Sequence, residues 1–176
     1  MSIRKLAAAA TALAALLLPA GAQAATPKLG NKLIVPNKSV GSLKLGQSAA
    51  SAKAAWGNGS CLTSGLCTFG SRTSGSGGFA AYTVTSLTTG TPKTLLSIIL
   101  EAGPFGKKLN YNTPLAKFKT AKGIGLGSTK AQLLHAYPHL ISEQPNSYII
   151  RQSTLVETIF NLRGGRVYLI DIGAHG

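Results

Sequence analysis

Three groupings in this sequence have the residue types and spacing that chemistry could use. The first is Gly123-Ile-Gly-Leu-Gly-Ser-Thr-Lys130; a glycine-rich turn running into a helix exposes backbone N–H groups that can hold phosphate. A phosphate loop places its lysine before the hydroxyl residue and directly after a buried strand. Here Lys130 follows Ser128 and Thr129, so the stretch reads as the turn into a helix and implies no cofactor. The second grouping is His135 and His139, four residues apart as helical zinc ligands are. Pro138 lies between them and ends any helix before the second. With no acidic third ligand nearby, no metal is expected, and His175 beside Gly176 reads as chain end. The third grouping is the acids, only Glu101, Glu143, Glu157 and Asp171 in 176 residues. Glu157 and Asp171 fall on neighbouring predicted strands, but solvated positions or pairing with Arg163 and Arg166 account for them better than a glycosidase pair does. No Gly-x-Ser-x-Gly elbow follows a strand. No catalytic residue is assigned; a hydrolase with a site assembled from distant positions is the minor alternative.

The cysteines take their meaning from the compartment. Arg4 and Lys5 precede a largely apolar run, Leu6–Leu18, which Pro19 breaks, and Ala22-Gln23-Ala24 has the small-x-small form of a signal cleavage site. The run is short of the ~20 residues that cross a bilayer. Residues 1–24 therefore read as a secretory signal cleaved after Ala24, giving a protein that is extracellular or associated with the cell envelope, with no transmembrane segment after cleavage. Cys61 and Cys67, the only two cysteines, then lie in an oxidising route and are expected to form a structural disulfide. The spacing is neither Cys-x-x-Cys nor part of a four-ligand zinc set.

The 18 Lys and Arg residues give a formal net charge of +14. Lys107, Lys108, Lys117, Lys119, Lys122 and Lys130 follow one another with no acid between Glu101 and Glu143. Such a field draws anionic partners, and these six lysines are the candidate patch for an anionic cell-wall or envelope component. Only Tyr111 and Phe118 are interleaved with them, too few for the stacking that nucleic-acid binding uses. A lysine-rich surface that merely keeps the chain soluble is the competing account.

The elements that would position these groups come in two related blocks. Val40–Gly57 aligns without gaps on Ala121–Pro138, matching Leu45, Gly46, Ser48 and Trp56 to Leu126, Gly127, Thr129 and Tyr137. In the second block Thr129 and Gln132 form a capping box, Leu133 and Tyr137 share a helical stripe, and Pro138 stops the helix. Two turns of helix are unstable alone. They are expected to pack on antiparallel strands, Gly78–Thr88 and Thr94–Glu101 in one block and Ser147–Arg151, residues 155–162 and 166–173 in the other. Gly164-Gly165 suits a primed hairpin turn, and the nearly continuous apolar run Val167–Ile172 suits a central strand. The expected fold class is α+β. It has two tandem units, each a short helix (helix-loop-helix) packed on an antiparallel meander: an irregular lead-in 25–39 containing one short strand, Lys32–Val35, unit one at 40–104, a lysine-rich connector 105–120 with a short helix after Pro114, and unit two at 121–176.

The turn Val40-Gly-Ser-Leu-Lys-Leu-Gly-Gln-Ser and its echo from Gly123 resemble those of the SmpA/OmlA-like and β-lactamase-inhibitory-protein-like group. The resemblance implies a helix-loop-helix laid on an antiparallel sheet, in two tandem copies, in a secreted and disulfide-bonded protein. It carries over no inhibitory residue, and the lipid-bearing cysteine of the envelope-assembly members is missing. The expected function is a secreted, non-catalytic binding module for a protein or an anionic envelope component, with an envelope assembly factor as the alternative. The sequence names no ligand and no oligomeric state.

Overall fold

The computed structural model describes residues 30–48, 51, 60–61, 66–69, 79–84, 94–103, 108–112, 114–153 and 156–174, with backbone alone for 60–84, 94–96, 114 and 174. Within them the chain forms strands β1 (Leu33–Val35), β2 (Ser39–Val40), β3 (Leu43–Lys44), β4 (Ser60–Cys61), β5 (Leu66–Phe69), β6 (Phe79–Val84) and β7 (Thr94–Glu101). A 3-10 turn, Pro114–Lys117, leads into β8 (Lys119–Thr120) and then helix α1 (Lys130–Ala136). Strands β9 (Ile141–Gln144), β10 (Ser147–Arg151), β11 (Val156–Arg163) and β12 (Arg166–Ala174) follow.

Two sheets result, one of four strands in the order β3-β2-β1-β8 and one of eight in the order β4-β5-β6-β7-β12-β11-β10-β9. The expected α+β fold of two helix-on-meander units is therefore corrected. The described chain is mostly β, and α1 is its single α-helix. The reason lies in segments whose strands are too short to show a period. Residues 30–44, which span the described part of the lead-in and the start of unit one, fold as three strands, the first of them where a short strand was expected; Ile34 pairs with Val40 and Val40 with Leu43. In the connector, Leu115 and Phe118 are spaced as on a helix, but only the four residues Pro114–Lys117 wind, as a 3-10 turn. Lys119 and Thr120 then pair in parallel with Leu33 and Ile34. A second sheet thus supplies most of the cover that helices were expected to give.

The large sheet consists of two four-strand meanders, β4 to β7 and β9 to β12, joined through their last strands. Ile98 faces Ile172 and Leu100 faces Ile170 across that seam. Strands β4 and β5 start 81 residues before β9 and β10, the same offset that aligns the two helix-turn blocks. The later strands fall out of this step, β12 starting 72 residues after β7.

One face of the large sheet forms the core. Tyr148, Phe160, Ile170 and Leu100 make one cross-strand row, and Thr158, Ile172 and Ile98 the next. Onto this face pack Ile34, Val40 and Leu43 of the small sheet, with Leu115, Phe118, Ile124, Leu126 and the α1 residue Leu133. Burying each such side chain contributes roughly 1.5–3 kcal/mol, far more than a seven-residue helix gains from its own hydrogen bonds. The helix start has its full capping box: the Gln132 N–H donates to Thr129 Oγ1 at 3.2 Å and the Thr129 N–H to Gln132 Oε1 at 2.8 Å. A polar tie crosses the core as well. Asn37, at φ 61° in the β1–β2 turn, donates its backbone N–H to Thr158 Oγ1 at 2.7 Å and accepts the Thr158 hydroxyl on Oδ1 at 2.8 Å.

Candidate functional site

The two aligned blocks adopt similar local geometry where both are described. Gly46 and Gly127 have φ of +76° and +84°, values that favour glycine. Leu43 and its counterpart Ile124 are both buried, Leu45 is half-buried and packed on the core, and Leu126 is buried. Ser48 Oγ accepts the Ser51 N–H at 3.2 Å, as Thr129 does three residues ahead in the second block. Tyr137 stacks on Phe160 with centroids 6.0 Å apart. Its counterpart Trp56, and with it most of the first expected helix, lies outside the described residues.

The candidate lysines do not form one surface. Lys107 lies outside the described residues; Lys108 and Lys117 are exposed. Lys119 is half-buried and donates from Nζ to the Leu126 carbonyl at 3.1 Å, and burial lowers its pKa from the ordinary lysine value. Lys122 donates to the Ala136 carbonyl at 2.7 Å and stands 4.8 Å from the Tyr137 ring centroid, neutralising the negative end of α1. Lys130, at the other end of the helix, lies 5.5 Å from the Tyr148 ring. Seven helical residues separate these two positions by ~10 Å. An open hollow of about 500 Å³ beside the helix is lined by Lys122, Gly123, Ile124, Gln132, His135 and Ala136; among these described residues there is no carboxylate, hydroxyl or thiol. His139 is exposed beyond the end of α1, and among the described residues no three His, Cys, Asp or Glu side chains gather as metal ligands.

Alternation along the strands puts the acids elsewhere. Residues 157, 159 and 161 of β11, 169 and 171 of β12, and 97, 99 and 101 of β7 share the face turned away from the core. Glu157, Asp171 and Glu101 are therefore on that face, and Glu143 reaches it through Arg151, which binds both Glu143 and Glu157. All four carboxylates of a strongly basic chain thus share one side of one sheet. Asp171 accepts from Ser97 Oγ at 2.5 Å. The pairing of Glu157 with Arg151 was not legible in the sequence, which pointed to Arg163 and Arg166; it depends on the β10–β11 register, in which Arg151 lies opposite Glu157. Half-buried Ile99, Ile159, Leu169 and Asn161 surround the acids. Ile149 is 2% exposed on this face and does not belong to the main core cluster.

Cys61 and Cys67 lie on β4 and β5 as directly opposed partners in an antiparallel pair. No helix among the described residues is long and apolar enough to cross a membrane. No protein family, curated protein or solved structure matches the chain, so the resemblance to the β-lactamase-inhibitory-protein-like group rests on the two aligned blocks.

Proposed function

We propose that this chain is an exported, non-catalytic binding protein that engages a protein through the acid-bearing face of its eight-stranded sheet; an anionic envelope component, the other partner considered, would be met by its exposed lysines instead. One observation carries the reading. Among the described residues, the packing elements of the core all lie on one side of the sheet, and the other side carries half-buried apolar Ile99, Ile159 and Leu169 beside Glu101 and Asp171. Apolar area set among a few charges is the composition of a recognition surface. The chemistry present supports binding over turnover, because Glu143, Glu157 and Asp171 are engaged with Arg151 or Ser97 and, among the described residues, no nucleophile stands beside a base in the hollow at α1. The signal-like segment 1–24 supports export, and the proposed Cys61–Cys67 disulfide suits that compartment.

The test is capture from culture supernatant and envelope extract with the mature protein and with Ile159→Arg, a half-buried position on the acid-bearing face. The wild type is expected to retain a specific partner that the variant loses while keeping its fold. Retention of the same partner by both would refute this choice of face. Turnover of a glycan or ester substrate by the wild type would refute the non-catalytic reading.

A further inference from the structure

The hollow beside α1 is built from two walls that are fixed to each other. One wall is the helix, where Gln132, His135 and Ala136 stand at i, i+3 and i+4 and so share one face. The other is the turn after β8, which brings Lys122, Gly123 and Ile124 to the same space. That turn is closed on itself. The Gly123 N–H donates to the Thr120 carbonyl at 2.8 Å, the Thr120 N–H to the Ile124 carbonyl at 2.7 Å, and the Ile124 N–H to Thr120 Oγ1 at 3.2 Å. Lys122 then ties turn to helix through its 2.7 Å bond to the Ala136 carbonyl. The space is therefore preformed, and at about 500 Å³ it falls within the roughly 300–1,000 Å³ of small-molecule clefts.

Its polar groups offer protons. The Lys122 ammonium is steadied by the Ala136 carbonyl and by the Tyr137 ring at 4.8 Å, and it spends one of its three N–H donors on Ala136. Gln132 Oε1 accepts the Thr129 N–H, so the amide NH2 is the end of that side chain left to meet a ligand. His135 carries a ring N–H in either protonation state. Buried Ile124 and half-buried Ala136 add apolar surface, and a Cβ on Gly123 would meet no atom within 4 Å. No acid lies between Glu101 and Glu143 in the chain, and Lys122 neutralises the negative helix end that would otherwise repel an anion.

We propose that this hollow binds a small organic carboxylate with a short apolar body, borne by a free acid or by the C-terminus of a peptide. The carboxylate meets the Lys122 ammonium, with Gln132 and His135 as flanking donors and the apolar body against Ile124 and Ala136. One compact ammonium suits one negative charge. A phosphate group would favour the guanidinium fork, and no arginine is among the lining residues. The site does not rest on the sheet-face reading, because α1 packs on the core side of the large sheet, away from the acid-bearing face.

The experiment follows the backbone amide NMR signals of the mature protein during titration with hexanoate and with its neutral counterpart hexanamide, at constant ionic strength. Hexanoate is expected to shift the Gly123, Ile124, Gln132 and His135 signals saturably. Hexanamide should bind at least ~10-fold more weakly, a loss in the range of one charge-assisted hydrogen bond. Lys122→Gln, whose amide keeps a donor for the Ala136 carbonyl, should weaken hexanoate binding by a similar factor. Lys38→Gln, which removes one exposed positive charge at the β1–β2 turn, should leave it unchanged; circular dichroism checks both folds. Absence of saturable shifts at these four residues, equal binding of hexanoate and hexanamide, or equal weakening in the two variants overturns the proposal, and the first two outcomes need no variant. N-acetyl-dialanine and its C-terminal amide separate the sources. Binding tighter than hexanoate and lost in the amide identifies a peptide end, whereas tighter binding of hexanoate identifies a free acid. Failure of the capture experiment on the sheet face would leave these readouts unchanged.

Discussion

Replacing Thr158 by valine is the sharpest test of how the two sheets are joined. Thr158 is fully buried and Asn37 is 8% exposed, and they are 121 residues apart in sequence. Valine keeps the shape of threonine but turns its hydroxyl into a methyl group, leaving the Asn37 N–H and Oδ1 enclosed without partners. Each such orphan costs about 1–3 kcal/mol, partly offset by the added apolar contact, so about 2–4 kcal/mol of stability should be lost. For a chain of this size that corresponds to a melting temperature lower by about 5–15 °C. Thermal and urea unfolding followed by circular dichroism measure it. The pairwise share comes from a double-mutant cycle with Asn37→Gly, because glycine tolerates the φ of 61° at that position and removes only the side-chain acceptor. A coupling energy of at least about 0.5 kcal/mol is expected. A Thr158→Val protein that melts within about 2 °C of wild type, or a cycle with no coupling, would refute the claim that this polar pair fastens the small sheet to the centre of the large one.

Further expectations concern other parts of the fold. Gly125→Ala should destabilise by about 2 kcal/mol or more, because the new Cβ would stand 2.2 Å from the Phe118 carbonyl oxygen and 2.6 Å from Lys119 Cδ, and the first of these is backbone that cannot swing aside; chemical denaturation checks it. The raised pKa of Tyr111 means that, above pH 10, the unfolded chain releases a proton the folded chain retains. Its contribution to stability is full below pH 10 and is lost as pH rises through the folded-state value, so Tyr111→Phe should flatten that alkaline decline in pH-dependent unfolding. Thr129→Ala removes the α1 cap and should cost about 1 kcal/mol, measured in the same way. The proposed Cys61–Cys67 bridge predicts that protein recovered from culture supernatant resists thiol reagents until a reductant is added, since directly opposed antiparallel residues have Cα separations within disulfide reach; immediate labelling without reductant would refute the bridge.

What the sequence discloses follows the length of its patterns. The α1 cap was readable because Thr129 and Gln132 stand at the spacing a capping box needs. The central position of β12 was readable because Val167–Ile172 is apolar on both faces, and the Gly164-Gly165 turn because both residues take positive φ. Of the small sheet only β1 was readable, as the short strand expected at Lys32–Val35; its pairing was not. Strands of two or three residues have no alternation to detect, and the parallel pairing of Leu33–Ile34 with Lys119–Thr120 joins segments far apart in the chain. Leu115 and Phe118 have a helical spacing that only a 3-10 turn realises. The lysine run was visible, yet Lys119 and Lys122 serve backbone carbonyls.

The seam between β7 and β12 sets a schedule for assembly. The strand that unites the halves is the last of the described strands in chain order, paired with β7 on one side and β11 on the other. Until residues 166–174 have been made and are free to pair, β7 lacks its neighbour on that side. Closing the seam therefore waits on a strand that begins 72 residues after β7 does, and pairings between such distant segments form slowly.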